Sequence, residues 1–165
     1  MSVFESTNKR LQNVSARIAG FPVEQMRLMR MTYHIQKNMR DLTNAALKPY
    51  DLVDASYIVL AVLYGCDDET ASASALGQAC HEKPANLTRV CNDLETRGLI
   101  QRGTRAGDRR AVMISLTEAG RALIVKVLPL VCDNTVQIYE GITSADMSAL
   151  EALFARQLSN LEAMI

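Results

Sequence analysis

The fold is decided by residues 74–120, which read SALGQACHEKPANLTRVCNDLETRGLIQRGTRAGDRRAVMISLTEAG. Two short helices are predicted here. The first ends near His81, and the second starts at Pro84 and ends before Gly98, because proline suits a first helical position and glycine suits the residue after a helix. The second helix has an apolar face formed by Leu87, Val90, Cys91 and Leu94. Strand patterns over 99–102 and 111–116 then flank a basic loop over 103–110. This order predicts a winged helix-turn-helix with a two-stranded hairpin.

Further helices are predicted on both sides of this stretch, and they are amphipathic except over about 53–64, where the helix is apolar almost all round and expected to be buried. They cover about 4–18, 22–47, 53–64, 118–139 and 143–165. Three residues are predicted to cap helices, namely Ser74, Thr117 and Thr143. Pro129 predicts a kink within a helix. The fold class is therefore mainly α with a small β-hairpin wing, in one domain over residues 1–165.

Composition and charge narrow the function. The 165 residues are 48% hydrophobic and 22% charged, which is typical of one globular domain. The sequence has no run of 18 apolar residues and no signal-peptide pattern, so we expect a cytoplasmic protein that does not enter a membrane. The net charge is zero, but residues 83–110 carry seven basic and three acidic residues, or +4, which leaves −4 elsewhere. Such a local basic segment favours contact with a phosphate backbone.

An enzyme is the rival class, and the residue inventory disfavours it. There are two histidines, His34 and His81, and the motifs of a nucleophile elbow, a phosphate-binding loop and a metal site are missing. Cys80-His81 has no second Cys/His pair to complete a zinc site. We therefore predict no cofactor. A helix that fits the major groove and a basic hairpin tip that reaches the minor groove instead predict a double-stranded DNA operator as partner.

Several motifs in this order resemble the MarR family of bacterial repressors. They are Leu76-Gly77-Gln78, Leu87-Thr88-Arg89, Leu94 to Ile100, Asp108-Arg109-Arg110 and Leu116 to Gly120. The likeness extends from about Pro22 to Ile165. The Phe21-Pro22 start and Leu128-Pro129 also resemble the branch that controls multidrug efflux pumps. The resemblance implies a DNA-binding lobe over about 53–116. It also implies a homodimer formed through a bundle of helices over about 4–47 and 117–165.

The resemblance also implies which residues contact DNA. In the second helix these are Pro84, Ala85, Asn86, Thr88 and Arg89. The family often has Ser or Thr where this chain has Pro84 and Ala85, so Asn86 and Arg89 remain as readers of adenine and guanine, and Ala85 could touch a thymine methyl group. The alternative for Arg89 is a surface ion pair with Asp93. In the wing, Asp108 is expected to brace Arg110 while Arg105 and Arg109 meet the minor groove or phosphates; the alternative is a solvated basic loop.

Two hypotheses describe how DNA binding is regulated, one by a small effector and one by oxidation. The family binds small, often anionic aromatic effectors where the dimer helices meet the DNA-binding lobe. Candidate pocket residues here are Met29, Tyr33, His34, Tyr57 and Val131. For His34, a position in the dimer interface or on the surface is favoured over the pocket wall. An aromatic effector would release a repressor from a pseudo-palindromic operator of a multidrug-efflux or aromatic-compound operon. The alternative is a redox-sensing repressor of the same fold that uses Cys66 or Cys132. Apolar helix faces favour core packing over redox sensing for Cys80 and Cys91.

Overall fold

A computed structural model describes the backbone of residues 3–105 and 108–165, and their side chains except at 3, 105 and 108–111. Within these residues the helices are α1 (Val3–Ser15), α2 (Val23–Leu47), α3 (Asp54–Tyr64), α4 (Ala73–Cys80), α5 (Pro84–Thr96), α6 (Glu118–Ile138) and α7 (Ser144–Glu162). The strands are β1 (Thr70–Ser72), β2 (Ile100–Arg105) and β3 (Asp108–Leu116). The chain forms two compact units, one up to Pro129 and the other Leu130–Ile165. The predicted mainly helical fold with a small wing is confirmed.

The core of the first unit lies between the helix-turn-helix, α3 and the sheet. The predicted apolar face of α5 is buried, as are Val59, Leu60 and Leu63 of α3 and Ile100, Ile114 and Leu116 of the sheet. Gly98 adopts φ +68° just after α5, as its predicted role requires. Burial of the α5 stripe fixes which side of this helix remains available to a partner.

In the described part of the chain, the sheet has three strands in the order β1-β3-β2, and both pairings are antiparallel. The predicted hairpin is present as β2 and β3, but the prediction missed a third strand, since Thr70–Ser72 pairs with Met113–Ser115. The predicted loop over 103–110 was also too long. Strand β2 continues to Arg105 and β3 begins at Asp108, with an irregular register between Thr104 and Arg105. Pairing between the strands extends them beyond the short apolar alternation visible in the sequence.

Helix starts follow local capping chemistry with one correction. The cap of α4 is Ser72 rather than Ser74, since the Ser72 hydroxyl accepts from Ala75 N at 3.1 Å. Ser72 ends a strand and is extended, the conformation that an N-cap needs, whereas Ser74 already lies in the first turn. Thr117 caps α6, and Thr143 forms a complete capping box with Asp146 at the start of α7. Helix α6 continues through Pro129, so this proline does not end it.

Large apolar side chains remain exposed on the outer helices. Every residue of α7 is exposed or half-buried, and the stripe predicted there includes Phe154 and Leu158 at 48% and 59% exposure. In α2, Leu28 and Ile35 of the predicted stripe are 62% and 51% exposed. These apolar faces of α2 and α7 are therefore uncovered in the single chain. Within the described residues, no helix is both long and apolar enough to cross a membrane.

Candidate nucleic-acid interface

A tight, well-defined turn joins α4 to α5. His81 adopts the left-handed conformation at φ 51°. Its N–H donates to the carbonyl of Gln78 at 3.2 Å, and the N–H of Glu82 donates to the carbonyl of Gly77 at 3.2 Å. This pair of bonds is a Schellman motif, which ends α4, and Pro84 then opens α5. The turn therefore fixes where the first residues of α5 begin.

The predicted DNA-contacting residues of α5 lie together at its N-terminal end, on the side away from the core. Pro84, Ala85, Thr88 and Arg89 are exposed, and Asn86 is half-buried. The Thr88 hydroxyl donates to the carbonyl of Pro84 at 2.8 Å. A helix that presents this end can bring these side chains to base edges in a major groove.

Arg89 bonds to a neighbour on its own helix rather than to the acid considered from sequence. Its Nε and Nη2 donate to Asn86 Oδ1 at 3.3 and 3.0 Å. Asn86 Nδ2 in turn donates to Glu82 Oε2 at 2.6 Å. Asp93, the alternative partner, instead pairs with Arg97 at 3.4 Å. Glu82, Asn86 and Arg89 thus form a continuous polar chain at the exposed end of α5.

Arg102 holds the base of the wing against α5. Its Nη1 forms an ion pair with Glu95, and its Nη2 donates to Asn92 Oδ1 at 2.7 Å. Arg102 is therefore anchored to α5 rather than merely solvated. Its role depends on partners seven and ten residues earlier, which a strand pattern does not reveal.

The other predicted wing contacts involve Arg105, Asp108, Arg109 and Arg110. Arg105 ends β2, and Asp108, Arg109 and Arg110 begin β3. Their side chains, and with them the expected bond between Asp108 and Arg110, lie outside the described residues. Their backbone positions place all four residues at the tip end of the β2–β3 pair.

A second arginine links α5 to the connection between α2 and α3. Arg97 donates to the backbone carbonyls of Asp51 at 2.7 Å and Tyr50 at 3.2 Å. The ammonium of Lys126, from α6, lies 5.2 Å from the centre of the Tyr50 ring, within range of a cation–π interaction. Sequence reasoning missed this junction because Arg97 lies 46 and 47 residues away from its partners Asp51 and Tyr50.

The candidate pocket residues are dispersed over several surfaces. Met29 and Tyr33 are exposed on α2, and Tyr57 is half-buried on α3. His34 packs edge to face on Phe4 of α1, with ring centres 5.7 Å apart. Val131 lies in the second compact unit.

A concave surface of about 490 Å³ lies beside α2 and reaches the helix-turn-helix. Its lining is Thr32, Ile35, Gln36, Met39, Arg40, Thr43, Asp54, Ile58, Cys80, His81 and Glu82. Burial raises the pKa of the Asp54 carboxyl, while Arg40, with Nε 3.5 Å from Asp54 Oδ2, opposes this shift. The cavity thus combines apolar walls with an ion pair, and it touches the turn that positions α5.

The two helix-turn-helix cysteines are in unreactive settings. Burial, with Cys91 nearby, raises the pKa of the Cys80 thiol to about 11. Burial also raises the pKa of Cys91, and Arg102 only partly opposes it. Cys66 is half-buried and Cys132 is exposed. Because the thiolate is the reactive form, Cys80 and Cys91 are poor targets for oxidants at neutral pH. Among the described residues, no group of three or more His, Cys, Asp or Glu could hold a metal ion.

The helix-turn-helix, the wing and the basic segment define the class of winged-helix DNA-binding regulators. The family model described as "Transcriptional regulator SarA/Rot" matches residues 41–127, more than half of the chain. The chain therefore belongs to this family of transcriptional regulators, which is of MarR type. Family membership confirms the prediction of a regulator rather than an enzyme.

Relatives and solved structures agree with this assignment. The transcriptional repressor MprA of Escherichia coli strain K12 is 27% identical over 163 residues, which cover 99% of this chain and 93% of MprA. The crystal structure of a mutant E. coli MarR complexed with operator DNA is 25% identical, with a TM-score of 0.73, and covers 82% of this chain and 96% of that one. AbsC, a MarR family regulator from Streptomyces coelicolor, shares the fold at a TM-score of 0.79, 20% identity and coverage of 86% of this chain and 96% of AbsC.

Proposed function

We propose that the protein is a homodimeric repressor that binds a pseudo-palindromic DNA operator and leaves it when a small aromatic compound binds. The observation that carries this proposal is the exposed N-terminal end of α5, which presents Arg89 and its neighbours on the helix against which Arg102 holds the arginine-rich wing. The operator complex of the similar MarR supports it. One short helix contacts few bases, so two copies about one helical turn apart are needed for a specific site.

The dimer is supported by the uncovered apolar faces of the outer helices. Side chains such as Leu158 and Phe154 are about half exposed in the single chain. Exposed apolar stripes of this kind are typical of surfaces that pair with another protein. In this proposal, helices over about 4–47 and 117–165 form the dimer bundle, and the single domain carries one DNA-binding lobe over about 53–116.

The response to an effector is supported by the cavity beside α2, which includes His81 and Glu82 of the helix-turn-helix. A ligand that contacts both α2 and this turn would favour one spacing of the two DNA-binding lobes over another. The ligand can shift the equilibrium between the two spacings only as far as its affinities for them differ. Met29, Tyr33, His34, Tyr57 and Val131 remain candidates for additional contacts.

Replacement of Arg109 by alanine tests the DNA-binding proposal. Wild-type protein should bind its own upstream DNA in a mobility shift or anisotropy assay, with affinity that falls as salt rises. Arg109→Ala should weaken specific and non-specific binding alike and reduce the salt slope by about one phosphate contact. Arg156→Ala removes an exposed arginine of α7 that lies off the apolar stripe of that helix and outside the proposed DNA interface, so it should change neither quantity. Unchanged affinity and slope for Arg109→Ala would remove this residue from the interface.

A cysteine-free variant separates ligand control from thiol control. It carries alanine at Cys80 and Cys91, which are buried, and serine at Cys66 and Cys132. We expect it to release operator DNA at the same concentration of an aromatic acid as wild type, because raised pKa values keep Cys80 and Cys91 protonated. Tyr33→Ala should shift that concentration. The measurement is operator anisotropy titrated with the aromatic acid and, separately, with peroxide. Release by peroxide alone, abolished in the cysteine-free variant, would favour the redox sensor.

A further inference from the structure

We propose that Glu82 is a positioning residue for base recognition, which holds the amide of Asn86 so that Asn86 aims Arg89 at a guanine. This inference rests on the proposed binding of operator DNA and adds a specificity determinant to it. It also changes the role of Asn86, from reader of an adenine to support for Arg89. The carrying observation is the polar chain from Glu82 through Asn86 to Arg89.

The chemistry of the two end groups decides the orientation of the amide between them. A carboxylate can only accept hydrogen bonds and a guanidinium can only donate them. The Asn86 amide therefore directs its NH₂ group to Glu82, at 2.6 Å, and its oxygen to Arg89, at 3.0 and 3.3 Å. The reverse orientation would place oxygen against oxygen at one end and donors against donors at the other. Glu82 and Arg89 together thus fix one of the two amide orientations, and Glu82 holds the NH₂ end of the amide from the turn.

In this arrangement the oxygen of Asn86 is already used by Arg89, while one end of the Arg89 guanidinium remains available to bind a base. Bidentate reading of adenine needs both the oxygen and the NH₂ group of an asparagine, and here the oxygen already accepts two bonds from Arg89. In the described part of the chain, the hydrogen bonds of Arg89 involve its Nε and Nη2. The Nη1 group and the second N–H of Nη2 form the outer end of the guanidinium, and this end can donate two parallel bonds to guanine O6 and N7.

The backbone at Glu82 is well placed to act as an anchor. Its N–H closes the Schellman motif through the carbonyl of Gly77, at 3.2 Å. Its side chain is half-buried, whereas Arg89 is exposed. A carboxylate beside a DNA-binding surface repels phosphates and lowers affinity for every sequence. We therefore expect Glu82 to lower overall affinity while it raises discrimination between bases.

Two variants of Glu82 separate its charge from its hydrogen bond. Glu82→Ala removes both, whereas Glu82→Gln removes the charge and keeps an oxygen that can accept from Asn86. Both should bind non-specific DNA about two- to threefold more tightly, since one phosphate-repelling charge is lost. Glu82→Ala should lose about tenfold discrimination at one G·C pair of each half-site. Glu82→Gln should keep most of that discrimination, and Asn86→Ala should lose it at the same base pair.

The measurement is fluorescence anisotropy of the full chain on the operator, on single-base variants of each half-site and on non-specific DNA, after circular dichroism has shown that each variant is folded. In an Arg89→Ala background, Glu82→Ala should no longer change discrimination. Wild-type discrimination in Glu82→Ala, or equal weakening at all base pairs, would overturn the proposal. Equal loss in Glu82→Gln and Glu82→Ala would also overturn it in favour of a pure charge effect. Failure of wild type to prefer any sequence would instead refute the proposed function itself.

Discussion

Leu158→Glu should make the protein monomeric and abolish tight operator binding. In the single chain Leu158 is 59% exposed and belongs to the apolar stripe of α7, which also contains Met147, Phe154 and Leu161. If this stripe is buried against a second copy, an unpaired carboxylate in its centre costs several kcal/mol. A loss of about 3 kcal/mol already weakens association more than a hundredfold. Because each half-site then binds one lobe alone, operator affinity should fall towards the non-specific level.

Sedimentation velocity at micromolar concentration, combined with operator anisotropy, measures both effects. Ala152→Glu is a matched control, since it adds the same charge to an exposed position on a different face of α7. It should leave the dimer and the operator affinity unchanged. A stable dimer of Leu158→Glu with wild-type affinity would show that this stripe is not the interface.

The elements that sequence predicted well carry their signals locally. Pro84 and Gly98 mark the two ends of α5, and its period of buried residues fixes the face that remains for DNA. Thr143 and Asp146 form the capping box that their spacing indicates. In each case the deciding contact lies within a few residues, so a short stretch of sequence contains the information.

The errors concern contacts between distant residues. Strand β1 has three residues and exists because it pairs with β3, more than 40 residues later. Since the strand was missed, the extended residue Ser72 was overlooked as the cap of α4. The contacts of Arg97 with Tyr50 and Asp51 were missed for the same reason, because they join residues that are far apart in the sequence. Such pairings depend on how the helices pack, and propensity does not encode them.

The candidate site contains both a feature that local sequence predicts and a contact that depends on the folded chain. That Asn86 and Arg89 share the exposed end of α5 follows from helical spacing alone. That Glu82 joins them depends on the left-handed turn at His81, and no glycine or proline at this position marks the turn in the sequence. The sequence therefore predicts which residues meet DNA, while the hydrogen-bond partners that orient them emerge only in the folded chain.

Gly120→Ala should destabilise the protein by about 3 kcal/mol or more. Gly120 is buried in the first turn of α6, and a Cβ there would lie 2.0 Å from the backbone oxygen of Leu99 and 3.2 Å from Leu116 Cδ2. Rotation of a side chain cannot relieve a clash with backbone. The carbonyl is also held in place, because it accepts from Thr117 N at 3.1 Å. Helix α6 would have to move away from the start of β2.

Denaturant unfolding followed by circular dichroism, at one protein concentration because a dimer's stability depends on it, measures the change. Gly103→Ala is the control: a Cβ there meets no described atom within 4 Å, so we expect a change within about 0.5 kcal/mol. Equal stability of both variants would show that α6 can shift freely. The expected loss would explain the Leu-Thr-x-x-Gly motif at 116–120 physically. The Thr117 hydroxyl donates to Gly98 O at 2.6 Å and accepts from Gly120 N at 3.0 Å, and this joins the end of α5 to the start of α6 at a distance that only glycine permits.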